Sequence, residues 1–404
     1  MSSRPTSVCF CNNRGGVGKT FMTFQIACAA AHEKPDKKIM VMDFSVYAEL
    51  TAALLGDKVR RPFLEPPTNI KKTAVIGVEA LARAISGDKV EEKITILSTV
   101  IDGIVLGVTS VGFIYAARFY FLILASIYYY VRRVKKNLNP KMNLVDFALH
   151  PHEHNPEIPK NVFLIPSTGG EWRAAEGEIP EFRASMGEKL ADAIGALGED
   201  FDSVFIDTDH VASACLTRLA LSACDRCVVP CPTDTAEFQR LYRSCAQGWL
   251  TGVESLFTDV MLPMMAKGAL RARVSTMIFS KVPSAKNVPV RTEEGAQLPF
   301  TPNAETAAQM DRLAGFVWEA CESTPRYKAL FLHAGGLKRT FIEKTFTAFK
   351  TFPDLAKNIS VQKGVPICTM TTNRYDTSGG VSGATASSVL VALQEELRHV
   401  IKYT

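Results

Sequence analysis

The sequence predicts an α/β fold: a mostly parallel, doubly wound sheet with helices on both faces. Three observations predict it. Apolar runs of strand length alternate with helix-length segments along the chain. Several of these runs are continuously apolar, as strands covered on both faces require. One of them, Val8–Cys11, enters a glycine-rich turn, and Lys19-Thr20 open a helix directly after it. The 404 residues and 47% hydrophobic content suffice for one large domain with an insertion, or for two domains. We read a single domain over 1–404 carrying an insertion over 89–160.

The elements follow in order. Phe21–Ala31 is a compact helix after the turn. Ile39–Met42 is a buried strand ending at Asp43. Val78–Ile85 reads as a helix closed near Ser86-Gly87. Val162–Pro166 is a strand and Glu188–Leu197 a helix. The run Val204-Phe205-Ile206 is a strand that delivers Asp207 at its C-terminal end. Val228-Val229 and Val274–Phe279 continue the sheet. Lys281–Pro302, rich in proline and charge, reads as a surface loop, and Thr377–Gly383 as a flexible one. In Ser387–Lys402 the residues Leu390, Leu393, Leu397 and Val400/Ile401 recur at helical spacing, which suits packing against the sheet. No internal repeat is present.

Residues 13–20, Asn-Arg-Gly-Gly-Val-Gly-Lys-Thr, carry the chemistry. They fit the spacing G-x-x-x-x-G-K-[ST], with Asn13 in place of the first glycine. A helix N-terminus has unsatisfied N–H groups and partial positive charge, so it attracts phosphate. Gly15, Gly16 and Gly18 let the backbone of Asn13, Arg14 and Val17 curl around that phosphate. Lys19 would reach the terminal phosphates and Thr20 would hold Mg²⁺. Asp207, at the C-terminal end of a central strand, would reach the same Mg²⁺ through water. A helix N-cap is the alternative for that stretch, since Thr208, Asp209 and Ser213 are also capping types.

The doubled glycine resembles the ParA/MinD family of P-loop ATPases, whose deviant loop reads Lys-Gly-Gly-x-Gly-Lys-Thr. Lys38–Asp43 resembles that family's second strand, Ser203–Thr208 its Walker B strand, and Ala223–Pro232 the strand before a proline-containing loop. Asn358–Ile367 resembles its late G-x-P-I segment and Ser387–Lys402 its final helix. The resemblance covers about three quarters of the chain. It implies an ATP-dependent homodimer with ATP and Mg²⁺ as cofactors, which positions or partitions a cargo on DNA, through a DNA-bound adaptor, or on membrane. It implies catalytic roles for Lys19, Asp43 and Arg14. Arg14 replaces the family's signature lysine, which reaches the partner's nucleotide; a guanidinium keeps the charge and binds phosphate bidentately. The family's second carboxylate after strand two is absent, because the chain reads Asp43-Phe44-Ser45. Hydrolysis is therefore expected to be slow. MinD-type membrane binding by the final helix is disfavoured, because Glu395 and Glu396 dilute its basic face.

Net charge is +5, which permits contact with nucleic acid or anionic membrane without arguing for either. Met1–Ser7 is short and polar, so no secretory signal is expected. Ten cysteines without disulfide spacing suggest a reducing, cytoplasmic setting. Cys224, Cys227 and Cys231 form C-x-x-C-x-x-x-C, open to a metal or redox reading, but Cys227 and Cys231 flank a strand and there act as small hydrophobes. His150, His152, Glu153 and His154 sit in a proline-bounded loop and lack a second ligand pair for zinc.

From Ile94 to Val131 the only charges are Asp102 and Arg118, and Arg132-Arg133-Val134-Lys135-Lys136 follow. An apolar run before a basic cluster has the look of a membrane segment. Its flanks should share one sheet, so a single crossing is excluded. Three readings remain for an apolar helical hairpin over 94–136: it enters and leaves a bilayer, lies in or beside one, or is buried in a protein interface. Folding back near Thr109–Gly112 would pair Asp102 with Arg118.

Two function classes stay open. One is the dimerising ATPase above. The other is a nucleotide-binding scaffold or regulatory protein that has lost hydrolysis and is anchored by its apolar insertion. A third, a related metallochaperone or reductase ATPase, would use its cysteines for metal.

Overall fold

The computed structural model describes residues 4–45, 47–56, 143–167, 184–210, 215–243, 254–372, 375–376, 382–383, 387–402 and 404. The expected helix at Val78–Ile85 and the apolar hairpin over 94–136 lie outside them.

A 7-stranded sheet organises the described residues. Its strands are β1 (Thr6–Phe10), β2 (Lys38–Phe44), β3 (Val162–Ile165), β4 (Phe201–Thr208), β5 (Arg226–Cys231), β6 (Arg273–Val282) and β7 (Phe346–Lys350). Their spatial order is β7-β6-β5-β1-β4-β2-β3, and every pairing is parallel. The chain first winds outward to β3, returns to β4 beside β1, then crosses to β5 on the far side. The winding thus reverses at β1, and the loop after β1 opens at that switch point.

Side-chain alternation along the strands builds two cores. Val8 and Phe10 of β1, Ile39 and Val41 of β2, and Val228 of β5 face one side. They meet helices α1 (Lys19–Glu33), α2 (Glu49–Leu55), α7 (Asp354–Lys363) and α8 (Ser387–Ile401). Cys9 and Cys11, Met40 and Met42, and Cys227, Val229 and Cys231 face the other. There they meet α3 (Ala184–Gly195), α4 (Cys215–Ala223), α5 (Thr235–Gln239) and α6 (Ala304–Ser323). Both faces of the sheet are therefore dry, which explains the continuous apolar strands.

Within the 89–160 stretch, residues 143–160 join the core. Leu144 and Phe147 are buried, and Leu149 bridges antiparallel to Leu164 at the edge of β3. Lys281–Pro302, read as a surface loop, holds short antiparallel pairings of its own, Ser284–Lys286 with Thr301–Pro302 and Val290–Arg291 with Gln297–Leu298. The late Gly364-Val365-Pro366-Ile367 segment seats on α1. Gln25 Oε1 accepts from Ile367 N at 2.9 Å, and its Nε2 donates to Ser360 at 2.6 Å. Gly364 has φ 66°, and a Cβ there would lie 2.2 Å from Ala53 O, so only glycine fits.

Candidate nucleotide site

The turn after β1 is shaped by two left-handed residues, Gly16 (φ 74°) and Gly18 (φ 93°). An L side chain resists that conformation, which fixes glycine at both positions. Added Cβ atoms on Gly15 and Gly16 would meet nothing within 4 Å, so the backbone faces open space there. Asn12 ties the turn to the sheet: its Nδ2 donates to Pro230 O at 2.6 Å and its Oδ1 accepts from Arg14 N at 2.9 Å. Asn13 Nδ2 donates to Arg240 O at 3.0 Å and Glu254 O at 2.9 Å. Asn13 thus anchors the outer flank of the loop, a job glycine cannot do. Val17 is buried beneath the turn.

Lys19 is buried and its Nζ donates back to Arg14 O at 2.8 Å, spanning the curl of the loop. Burial lowers its pKa, against an opposing pull from Asp207. A cavity of about 510 Å³ opens over this loop. Its walls come from the C-terminal ends of five strands: the β1 turn, Ser45 after β2, Thr208 and Asp209 from β4, Ser280 and Lys281 from β6, and Lys350 and Thr351 from β7. Lys281, Lys350 and Lys357 line it too, as do Phe21, Phe349 and Phe352, with Phe21 edge-on to Phe352 at 4.9 Å. Backbone N–H groups, three lysines besides Lys19 and an aromatic wall together suit a polyanion carrying an apolar group.

The two strand-end carboxylates differ. Asp43 and Asp207 are register partners on β2 and β4, and both are fully buried. Asp43 is saturated: Oδ1 accepts from Ser45 N (2.9 Å) and Ser45 Oγ (2.6 Å), Oδ2 from Thr51 N and Oγ1 (both 2.8 Å). It therefore fixes the turn into α2, and Ser45 spends its hydroxyl on that carboxylate. Burial still raises the Asp43 pKa against those bonds. Asp207 accepts at Oδ1 from Thr23 Oγ1 at 3.4 Å, and Thr20 lies near enough to its side chain to draw its pKa down. Its Oδ2 is buried without a hydrogen-bond partner. Burial first, and then the Asp43 charge, push its pKa well up. An orphaned carboxylate oxygen beside the Thr20 hydroxyl is a donor set for a hard, oxygen-seeking cation, so Thr20 and Asp207 fit Mg²⁺.

The Arg14 guanidinium is engaged outside the loop. It forms an ion pair with Glu237 of α5, which also pairs with Arg240 at 3.2 Å. The loop thus gathers Asn13, Arg14, Gly15, Gly16, Val17, Gly18, Lys19 and Thr20 with Asp207, while Asp43 is one strand away and engaged elsewhere.

Sequence reasoning missed Thr23, Asn12 and the cavity's lysines. Thr23 lies one helical turn beyond Lys19, a spacing that could have marked it. The lysines come from strands and helices hundreds of residues later, with no local signal. His150, His152 and His154 do not form a metal-binding group: His152 Nδ1 is 2.7 Å from Ile158 O, and the His150 ring packs on Phe163.

No family model matches the chain, and no curated protein matches it. Among solved structures it is similar to a plasmid partition protein of Borrelia burgdorferi B31 bound to AMPPNP, with TM-score 0.47 and 12% identity over 99% of this chain and 100% of that one. It is similar to an ATP complex of a Cyanothece McdA variant, with TM-score 0.46 and 12% identity over 99% and 96% of the two chains. A third is pNOB8 ParA, with TM-score 0.40 and 13% identity over 86% and 82%.

Proposed function

We propose that the chain binds Mg-ATP over residues 13–20 and acts as a nucleotide-dependent, dimerising P-loop ATPase of the ParA/MinD type. It positions or partitions a cargo, linked to DNA, a DNA-bound adaptor or membrane, and hydrolyses ATP slowly. The observation that carries the reading is the loop itself. Gly16 and Gly18 adopt left-handed φ, open space lies over Gly15 and Gly16, and Lys19 spans the curl. Lys19 binds the β and γ phosphates, and the apolar side at Phe21 and Phe352 receives the base. Mg²⁺ at Thr20 and Asp207 would neutralise phosphate charge and fix its orientation.

The test is a nucleotide titration of the wild type and Lys19→Ala. Hydrogen bonds to a charged group contribute about 1.5–3 kcal/mol, so affinity should fall by about 10- to 100-fold. Unchanged affinity would overturn the reading.

Arg14 contributes in trans, reaching the partner's nucleotide once freed from Glu237. Arg14→Ala should keep ATP binding and weaken an ATP-dependent dimer seen by light scattering. A dimer indifferent to Arg14 or to nucleotide would count against this role.

Ser45 favours a second reading, a nucleotide-bound scaffold without turnover that residues 94–136 anchor to a membrane. Its hydroxyl donates to Asp43, and it offers no base for water. ATP consumption separates the two readings.

A further inference from the structure

Cys9 lies on β1 and Cys11 directly after its end, two residues on, and both face the α3–α4 core. Cys227 is the register partner of Cys9 on the neighbouring β5 and faces the same way. Their three Sγ atoms all lie within 4.8 Å of one another, and all three residues are 0% exposed. Among the described residues this is the one such group. The C-x-x-C-x-x-x-C spacing pointed instead to Cys224, Cys227 and Cys231. Cys231 sits farther along β5, with its Sγ 3.7 Å from Ile278 O. Cys224, which follows α4, is buried in the same core.

We propose that Cys9, Cys11 and Cys227 form a buried thiolate site for one soft d¹⁰ metal ion, Cu(I) or Zn(II). The class follows from the donors. Sulfur predominates in a dry apolar setting, which disfavours Mg²⁺ and Ca²⁺ and selects thiophilic ions. Cu(I) is satisfied by three sulfurs in a plane. Zn(II) asks for four and would draw in Cys224. On binding, S–H bonds break, metal–sulfur bonds form, and the protons pass to solvent with no change of oxidation state. Lys19 stands near Cys11 and offsets part of the thiolate charge.

The site would act as a staple under the nucleotide loop. It joins β1 to β5 directly below the point where β1 opens into residues 12–18. Thr208, which follows Asp207, places its Oγ1 3.6 Å from Cys11 Sγ and 2.7 Å from Phe10 O. This staple does not depend on the ATPase reading.

The burial predicts slow exchange, because an ion enters only when the α4 layer opens. The test therefore expresses the full chain in medium supplemented with zinc or with copper. The protein is purified under a non-thiol reductant, desalted, and its metal counted by mass spectrometry. We expect one ion per chain with one of the two metals, and less than a tenth of that in Cys9→Ala/Cys227→Ala. Cys321→Ala, buried on α6 away from the group, should keep the full count. Should the double variant fail to fold, alkylation of wild type decides. The metal should slow modification of Cys9, Cys11 and Cys227 relative to Cys321 during denaturant unfolding. Absence of retained metal, retention unchanged in the double variant, or protection spread equally over all cysteines would overturn the proposal.

Discussion

Asp43 and Asp207 are neighbours in register, yet hydrogen bonding gives them opposite duties. Four donors occupy Asp43, while Oδ2 of Asp207 has none. A buried carboxylate left partly unpaired costs stability until a cation or proton meets it. The folded protein holds the Asp207 pKa well above its value of 3.8. The unfolded chain therefore loses that proton at lower pH than the native state does. Stability falls as pH rises from about 4 toward the folded-state value. Asp207→Asn should flatten that slope and raise the melting temperature of the nucleotide-free protein near neutral pH. It should also remove the strengthening of ATP binding by Mg²⁺. A lower melting temperature with intact Mg²⁺ dependence would show that Asp207 is a structural residue. Ser45 makes a separate prediction. With its hydroxyl held by Asp43, turnover should lie below the ordinary enzyme range of ~1–1000 s⁻¹. A wild-type rate inside that range would mean another group positions the water. Most of the phosphate loop was legible because its residues are consecutive. The cysteine trio was not, because sheet register, rather than spacing, joins Cys227 to Cys9.

Helix α8 shows what periodicity reads well and what it misses. Leu390, Leu393, Leu397 and Val400 are buried against the sheet layer, as their spacing predicts. Glu396, one position before Leu397, would be expected among the solvent-facing residues, yet it is 2% exposed. Its Oε1 accepts from Lys350 N at 2.5 Å, and its Oε2 lies 3.5 Å from Lys350 Nζ. This clamps α8 to β7, whose end lines the cavity. No pattern in Ser387–Lys402 could announce it, because the partner is on a strand that its short, mixed sequence Phe-Thr-Ala-Phe-Lys does not advertise. Burial raises the Glu396 pKa from 4.5 to about 7. Between those values the unfolded chain releases the proton and the native chain keeps it. Native stability should therefore decline by about 3 kcal/mol as pH rises from about 4.5 to 7, and level off above. In Glu396→Gln, whose amide oxygen still accepts from Lys350 N, that part of the decline should vanish. Denaturant unfolding at a series of pH values measures both proteins, and parallel curves would refute the assignment.

At the scale of the molecule, the doubly wound sheet was legible because the buried strands other than β7 carry local apolar runs. The switch at β1 was legible because the phosphate loop marks it. Lys281–Pro302 was less so, since its two-residue pairings are too short to leave a pattern. Tertiary logic also bears on the segment 94–136. Its flanks return to one body: Asn155 Nδ2 donates to Leu54 O at 3.4 Å and to Gly364 O at 2.8 Å, tying the chain after the segment to α2 before it. Both flanks belong to one folded body, so a single crossing of a bilayer between them is excluded. We propose that lipid or protein covers its apolar run, because a large exposed apolar patch is not tolerated in water. The basic cluster at Arg132–Lys136 adds attraction to anionic lipid, screened by salt. We therefore predict that the full chain floats with anionic liposomes at low salt and less so at high salt. Replacement of 94–136 by a short Gly/Ser linker should abolish flotation and leave nucleotide affinity unchanged. A full-length chain that ignores liposomes and self-associates through this segment would instead make it a protein interface. Loss of nucleotide binding in the shortened chain would show that the segment supports the fold itself.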